Sequence, residues 1–236
     1  MANIKQERAT ANLRMLEFVA RKLGPLNEEV IYLGGCTTAL FITDPLSLDV
    51  RPTRDVDCIV DIASLPKYYQ FGKKLSDQGF KQSIDESVIC RWHYDEVILD
   101  VMPIDESVLK FGNRWYKEAI EHVITHQLKD DLIIKSVTAP YLLATKIEAF
   151  KTRGNNDFLG SHDFEDIITV VAGRTEIADE ICLATENLKT HLKQFFAEII
   201  NDDNFRTALP GHLNDGPVTI QRIQTVQDRI KHIISG

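Results

Sequence analysis

The chain has 236 residues, of which 44% are hydrophobic and 26% are charged. This balance is typical of a folded globular protein and excludes a disordered or collagen-like chain. The net charge of −8 at pH 7 argues against a protein that coats nucleic acid, because such binding needs a surplus of Lys and Arg, although a local basic groove stays possible. The four cysteines lie far apart without a C-x-x-C pair, so we expect buried reduced thiols, not a zinc knuckle or a disulfide framework.

The beginning of the sequence, MANIKQERATANLRMLEF, is charged and lacks the apolar core of a signal peptide. The sequence contains no run of about eighteen apolar residues, the length that a membrane span requires. We therefore expect a cytoplasmic protein that does not bind a membrane.

The first part of the chain mixes helices with strands. In chain order, the pattern predicts a helix at Thr10–Leu23, strands at Glu29–Leu33 and Val56–Ile62, and a helix from Pro66 to Gly79. Gly34 and Gly35 separate the first strand from CTTALFI, which has the composition of a buried helix start.

Three strand-like runs follow, at Phe80–Ile84, Val88–Tyr94 and Val97–Met102. The residues YDEV between the last two predict a hairpin turn, so these two strands are expected to be antiparallel. Beyond Pro103 the pattern is less regular. KFGNRWYKEAI gives no clear element, whereas LIIKSVT (Leu132–Thr138) has the composition of a strand.

From Ala139 onwards the periodicity is helical, in PYLLATKIEAFKTR, HDFEDIITVVAG, TEIADEICLATENLKTHLKQFFAEII and TIQRIQTVQDRIKHII. The change at this point predicts a domain boundary. We therefore expect an α+β fold, in which residues 1–138 form a mixed sheet flanked by helices and residues 139–236 form a C-terminal helical domain.

Two aspartates one residue apart lie on the strand of VDCIVDI. Side chains at i and i+2 share one face of a strand, so Asp55 and Asp57 would repel each other unless a divalent cation binds between them. Mg²⁺ suits such a site because it prefers hard oxygen ligands. Asp100 in VILDVMP offers a third carboxylate, and three carboxylates on neighbouring strands can hold two metal ions around a transferring phosphoryl group. Taken alone, a D-x-D pair is more often a polar strand end, and Asp100 a solvent-facing residue.

The glycine pair allows the backbone to approach a ligand closely, and a helix that follows such a turn offers free N–H groups to phosphate. Thr37 and Thr38 would add hydroxyl groups there. The pattern is neither a P-loop (G-x-x-x-x-G-K-[ST]) nor a dinucleotide fingerprint (G-x-G-x-x-G). Alone, Gly34-Gly35 is more typical of a tight turn without a ligand.

Taken together and in order, these motifs resemble a known family. The sequence hG-[GS], a spacer, Dh-[DE]h and a later strand carboxylate are similar to the motifs of the DNA polymerase β-like nucleotidyltransferase superfamily. Within it, LGGCTTALFI, RPTRDVDCIVD, LDVMP, APYLLATKIEAFKTRG and SHDFEDIITVV resemble the AbiEii-like nucleotidyltransferases, which include the MenT toxins of type IV toxin–antitoxin systems. The resemblance covers residues 29–172 and implies a nucleotidyltransferase-type sheet.

The resemblance implies roles for residues of the first domain. Gly34 and Gly35 would hold a nucleoside triphosphate, with Thr37 as a further nucleotide-binding residue. Asp100 would ligate the catalytic metal and accept the proton of the attacking hydroxyl. The metal ligands, which are also the catalytic carboxylates, would be Asp55, Asp57 and Asp100.

In the helical domain, which would contribute to the active-site cleft, the resemblance assigns Lys146 to the triphosphate. It matches Asp163 and Asp166 to the two aspartates of a late acidic segment and makes Lys146 and Asp163 catalytic. The chain departs from the family pattern at His162, where Lys or Arg is usual. The spacer between the glycines and the aspartates, 36–54, is also longer than in the smallest members.

Structural roles fit the same residues of the helical domain. Lys146 and Arg153 are seven residues apart and would share one face of a helix, which suits an ordinary solvated face as well as an anion site. Asp163 and Asp166 lie at a helix start beside Ser161, where N-capping accounts for them equally well.

The implied activity is transfer of a nucleotide from an NTP to an acceptor hydroxyl, with Mg²⁺, or Mn²⁺ in its place, as cofactor. The family resemblance implies the 3′ end of tRNA as acceptor, toxin activity and an antitoxin partner, while a protein hydroxyl or a small molecule are other acceptors. A regulatory protein of the same fold with little turnover and a metal-dependent nuclease are the alternatives. The glycine turn and Lys146 count against the nuclease.

Overall fold

The computed structural model describes residues 2–44, 50–82, 88–213 and 218–236. The chain divides into two compact units. The sheet unit comprises Asn3–Leu40 and Pro52–Thr138, and the helical unit comprises Phe41–Arg51 and Ala139–Gly236. The sequence pattern changes at the same point, Thr138, but it gave no sign that the described residues of Phe41–Arg51 belong with the helices.

The described residues of the sheet unit form a seven-stranded mixed sheet. The strands are β1 Val30–Leu33, β2 Asp55–Val60, β3 Lys81–Gln82, β4 Arg91–Tyr94, β5 Val97–Pro103, β6 Val123–Gln127 and β7 Ile133–Val137. Their order across the sheet is β3-β4-β5-β2-β1-β7-β6. The pairs β2–β5 and β1–β7 are parallel and the other neighbours are antiparallel.

The strands predicted from the sequence correspond to β1–β5 and β7, and the predicted turn joins β4 to β5. Residues 83 and 84 of the predicted strand Phe80–Ile84 lie outside the described residues. Strand β6 was missed because VITHQ has little hydrophobic alternation and directly follows the helix-like YKEAIEH.

Helices pack against the sheet. The α-helices of this unit are α1 Ala2–Leu23, α2 Leu65–Asp77, α3 Glu106–Leu109 and α4 Tyr116–Ala119, with 3-10 helices at Gly24–Glu29, Gly35–Phe41 and Lys129–Asp131. On α1, Phe18 makes an edge contact with the ring of Tyr94. On α2, the Tyr68 hydroxyl donates to the carbonyl of Val101 at 2.9 Å. Because side chains alternate along a strand, the residues at odd-numbered positions of β2 and β4 lie on the face opposite to Tyr94.

The helical unit is built around phenylalanine rings that contact one another in tilted and edge-on pairs. Its helices are α5 Ala139–Lys151, α6 His162–Gly173, α7 Ile177–Cys182, α8 Glu186–Ile199, α9 Asp203–His212 and α10 Thr219–Ser235. The rings of Phe150, Phe164 and Phe195 are buried, and Phe150 lies 4.9 Å from Phe164 between ring centroids. The predicted helices are present, but the run at Thr175–Ile200 is divided into α7 and α8. Helix α9 was not predicted. No helix among the described residues is long and apolar enough to cross a membrane.

All four cysteines, which lie in the described part of the chain, are free thiols. Burial raises the pKa of Cys36, Cys58 and Cys90 above the usual thiol value, so these groups stay uncharged and unreactive. The expectation of buried reduced thiols is confirmed for these three, whereas Cys182 is partly exposed.

Candidate functional site

Two carboxylates are placed side by side on one face of the sheet. Strand β2 runs parallel to β5 in a register that pairs Asp57 with Asp100. Register partners on neighbouring strands point the same way, and Asp55, two residues before Asp57, points to the same face. Asp100 is buried, while Asp55 and Asp57 are half-buried. Two unit charges about 5 Å apart at an effective dielectric of 20 repel by about 3 kcal/mol, so this arrangement requires compensation.

Arg91 supplies part of that compensation. It lies opposite Asp100 in the antiparallel β4–β5 pair. Its Nε donates to Oδ1 of Asp100 at 2.9 Å and its Nη2 donates to Oδ2 at 2.8 Å. Such a two-pronged guanidinium–carboxylate contact is among the stronger hydrogen-bonded ion pairs in proteins. Both oxygens of the predicted third metal ligand are therefore engaged by a cation of the chain itself.

Asp55, Asp57 and Asp100 together form an acidic row on this face of the sheet, and the glycine turn contacts it at Asp57. Gly34 directly follows β1 and has φ +82°, and a Cβ atom at this position would overlap Oδ2 of Asp57. The Gly34 carbonyl accepts the Thr37 hydroxyl at 2.8 Å, so Thr37, which is fully buried, stabilises the turn. The helix predicted after the glycine pair is a 3-10 helix, from Gly35 to Phe41. Among the described residues, the buried Thr38 hydroxyl has no hydrogen-bond partner.

Asn12 of α1 connects the two parts of this site. This buried residue accepts a hydrogen bond from the Thr53 backbone N–H through Oδ1 at 3.2 Å. The backbone carbonyl oxygen of Asn12 accepts a hydrogen bond from the Cys36 thiol at 3.3 Å. A single asparagine therefore holds both the chain leading into β2 and the residue that follows the glycine pair.

The residues of this row fit a divalent cation by their chemistry. Asp57 and Asp100 present hard carboxylate oxygens, which Mg²⁺ and Mn²⁺ prefer. Because Gly34 has no side chain, the backbone turn can lie directly against Asp57. No three His, Cys, Asp or Glu side chains in the described part of the chain are gathered as ligands for one metal ion. The three predicted ligands Asp55, Asp57 and Asp100, all in the described part of the chain, are therefore not gathered as one ligand set.

The helical unit contains a separate buried charge cluster. The Lys146 ammonium on α5 lies 3.0 Å from Oδ1 of Asp163 and 2.6 Å from Oδ2 of Asp166, both on α6. All three side chains are less than a tenth exposed. Arg153 contacts Asp163 through Nε at 2.8 Å, and Arg51 lies 3.4 Å from Asp166. Each buried charge thus has an opposite partner, as burial requires.

The electrostatics of this cluster are clearest at Asp163. Burial alone would raise the pKa of its carboxyl group, but the hydrogen bond from Arg153 and the positive charge of Lys146 outweigh burial and lower the pKa to about 2. Asp163 is therefore ionised throughout the physiological range.

One expectation about the helical unit is wrong, and one of the alternatives left open by the sequence does not hold. Helix α5 ends at Lys151, so Arg153 lies in the following turn and does not share a helix face with Lys146, although both contact Asp163. Ser161 caps α6, its Oγ accepting from the Phe164 backbone N–H at 3.3 Å, so N-capping does not explain the aspartates. His162 is largely exposed and lies 3.4 Å from Glu165.

No protein-family model matches the chain, and no curated protein matches it. Gly34, Asp57 and Asp100 belong to the sheet unit, whereas Lys146 and Asp163 belong to the helical unit.

Sequence reasoning missed Arg91, although the signal was present. The turn Asp95-Glu96 pairs Tyr94 with Val97, and counting back three residues on one strand and forward three on the other places Arg91 opposite Asp100. Arg51 had no comparable signal, because its contacts with Glu165 and Asp166 join residues more than a hundred positions apart.

Replacing Gly34 with alanine should destabilise the protein and displace Asp57. The left-handed φ alone costs about 1–2 kcal/mol for a residue with a side chain, and the overlap with Asp57 adds to it. Urea denaturation measures the free energy of unfolding. Gly211→Ala is the matched control, because a Cβ there meets nothing within 4 Å and alanine in a helix should add about 0.5–1 kcal/mol. Equal stability of the two variants would contradict the assignment of Gly34.

Acid should weaken the helical unit through Asp163. Its pKa of about 2 in the folded protein is below the usual value of about 3.9 for an unfolded chain, so its contribution is nearly complete above about pH 5 and is lost as the pH falls towards 2. Between pH 5 and 3 this amounts to about 1 kcal/mol of unfolding free energy. Asp163→Asn should lack this pH-dependent loss of unfolding free energy. Asp61→Asn, at an exposed site, should retain it. An unchanged pH dependence in Asp163→Asn would disprove the assignment.

Proposed function

We propose that this protein is a nucleotidyltransferase of the DNA polymerase β-like type, which transfers a nucleoside monophosphate from an NTP to an acceptor hydroxyl. The observation that carries the proposal is the register of Asp57 with Asp100, beside the turn at Gly34. Two carboxylates held together next to a side-chain-free turn suit the binding of a metal-bound triphosphate.

In the proposed reaction the acceptor oxygen attacks the α-phosphorus, the bond to the bridging oxygen breaks, and pyrophosphate leaves. Asp57 and Asp100, with Asp55 on the same face, would hold Mg²⁺ or Mn²⁺. The bound cation would neutralise the charge that develops on the transferring group. Gly34 and Gly35 would let the backbone approach the triphosphate. Once Arg91 has released the Asp100 carboxylate, Asp100 would accept the proton of the attacking hydroxyl. Positioning would supply much of the rate gain.

Other parts of the proposal depend on the resemblance alone. They are the roles of Lys146 and Asp163, the 3′ end of tRNA as acceptor, toxin activity and an antitoxin partner. A short acceptor end needs only a local groove, which is compatible with a net charge of −8. A protein hydroxyl or a small molecule would serve the same chemistry.

A second candidate is a nucleotide- or metal-binding regulatory protein with little turnover. The observation that favours it is that several charged groups are already paired within the chain. Arg91 engages both oxygens of Asp100, and Lys146 lies between two aspartates. For catalytic turnover, at least the contact between Arg91 and Asp100 would have to break.

A labelling assay should separate the candidates. The protein is incubated with Mg²⁺, each α-³²P-labelled NTP in turn and total tRNA, beside Asp57→Asn and the control Asp61→Asn, which alters an exposed aspartate just beyond β2. We expect the wild type and the control to transfer label. Asp57→Asn should be at least about a hundredfold slower, since loss of metal-assisted charge stabilisation costs several kcal/mol.

Other results would replace the proposal. Tight nucleotide binding without label on tRNA, on the protein itself or on small-molecule acceptors would support the regulatory protein. Shortened tRNA without added NTP would indicate a nuclease.

A further inference from the structure

Arg91 places a positive charge against Asp100, one of the two carboxylates of the proposed cation site. Its side chain is 28% exposed and that of Asp100 is 12% exposed, so the ion pair is shielded from much of the solvent. The β4–β5 hairpin fixes the two residues opposite each other. The backbone register therefore brings the two side chains to the same face, where the two-pronged contact forms.

The position of the guanidinium makes it a competitor for a cation. A carboxylate has about four lone-pair sites, and Arg91 uses one on each oxygen. The remaining sites are chemically available, but they lie beside a fixed positive charge, which repels a divalent ion. At the same time Arg91 offsets the repulsion between Asp100 and its register partner Asp57.

We propose that Arg91 is a positioning residue that serves as the resident counter-cation of Asp100 and sets the affinity of the acidic row for divalent metal. In the absence of metal it holds the Asp100 carboxylate in one orientation. Metal binding displaces it from Asp100. This inference rests on the proposed function, because it takes Asp57 and Asp100 as the cation site.

Mn²⁺ titration followed by electron paramagnetic resonance tests the proposal without measuring turnover. Arg91→Gln removes the charge and should lower the Mn²⁺ dissociation constant about tenfold or more, since a charge-assisted contact no longer has to be broken. Arg91→Lys keeps the charge and should stay close to the wild type. Lys81→Gln removes an exposed cation from neighbouring β3 and is the matched control.

The proposal is overturned if Arg91→Gln binds Mn²⁺ no more tightly than the wild type, or if Lys81→Gln tightens binding equally. Asp57→Asn distinguishes this failure from failure of the proposed function. If Asp57→Asn binds Mn²⁺ as the wild type does, the cation site itself is wrong. If it binds much more weakly while Arg91→Gln is unchanged, only the role of Arg91 fails.

The wild-type chain provides a second test that does not depend on the folding of Arg91→Gln. The Nε–H resonance of Arg91, assigned by its loss in Arg91→Lys, should shift when Mg²⁺ is added, because Nε loses its contact with Asp100. The same resonance should not shift in Asp57→Asn. An unchanged Arg91 signal at saturating Mg²⁺ would disprove displacement.

Discussion

The parallel pairing of β2 with β5 is the constraint on which the candidate site depends. It places the Asp57 and Asp100 carboxylates side by side, where mutual repulsion opposes folding unless a positive charge is near. Arg91 from β4 provides that charge. Gly34 follows β1, the other neighbour of β2, and leaves room for Asp57. Three adjacent strands, β4, β5 and β2, and the turn after β1 thus each contribute one part of the candidate site.

The helical unit also places two carboxylates close together and offsets their repulsion with a cation. There Lys146 bridges Asp163 and Asp166 across α5 and α6, and removal of one partner from such a buried group typically costs about 3–5 kcal/mol. The pairing explains why these charged residues are compatible with a core of phenylalanine rings. It also means that a role of Lys146 towards a triphosphate would be shared with a structural role between the helices.

The sequence predicted local structure better than side-chain pairing. Strong alternation identified β2 and β5, and the glycine pair marked the end of β1, because these signals reside in neighbouring residues. Strand β6 has almost no such signal and is defined by its partner β7. The contacts of Arg51 with α6 are likewise tertiary. The fork between Arg91 and Asp100 is an intermediate case, since the hairpin turn determines its register.

A crystal structure with Mn²⁺ and a non-hydrolysable NTP analogue, in which anomalous scattering locates the metal, would test the proposed site most directly. We predict a Mn²⁺ peak bound by Asp57 and Asp100, the triphosphate against the turn at Gly34, and Arg91 displaced from Asp100. A Mn²⁺ ion and analogue bound elsewhere, with the Arg91–Asp100 fork intact, would contradict the proposed site.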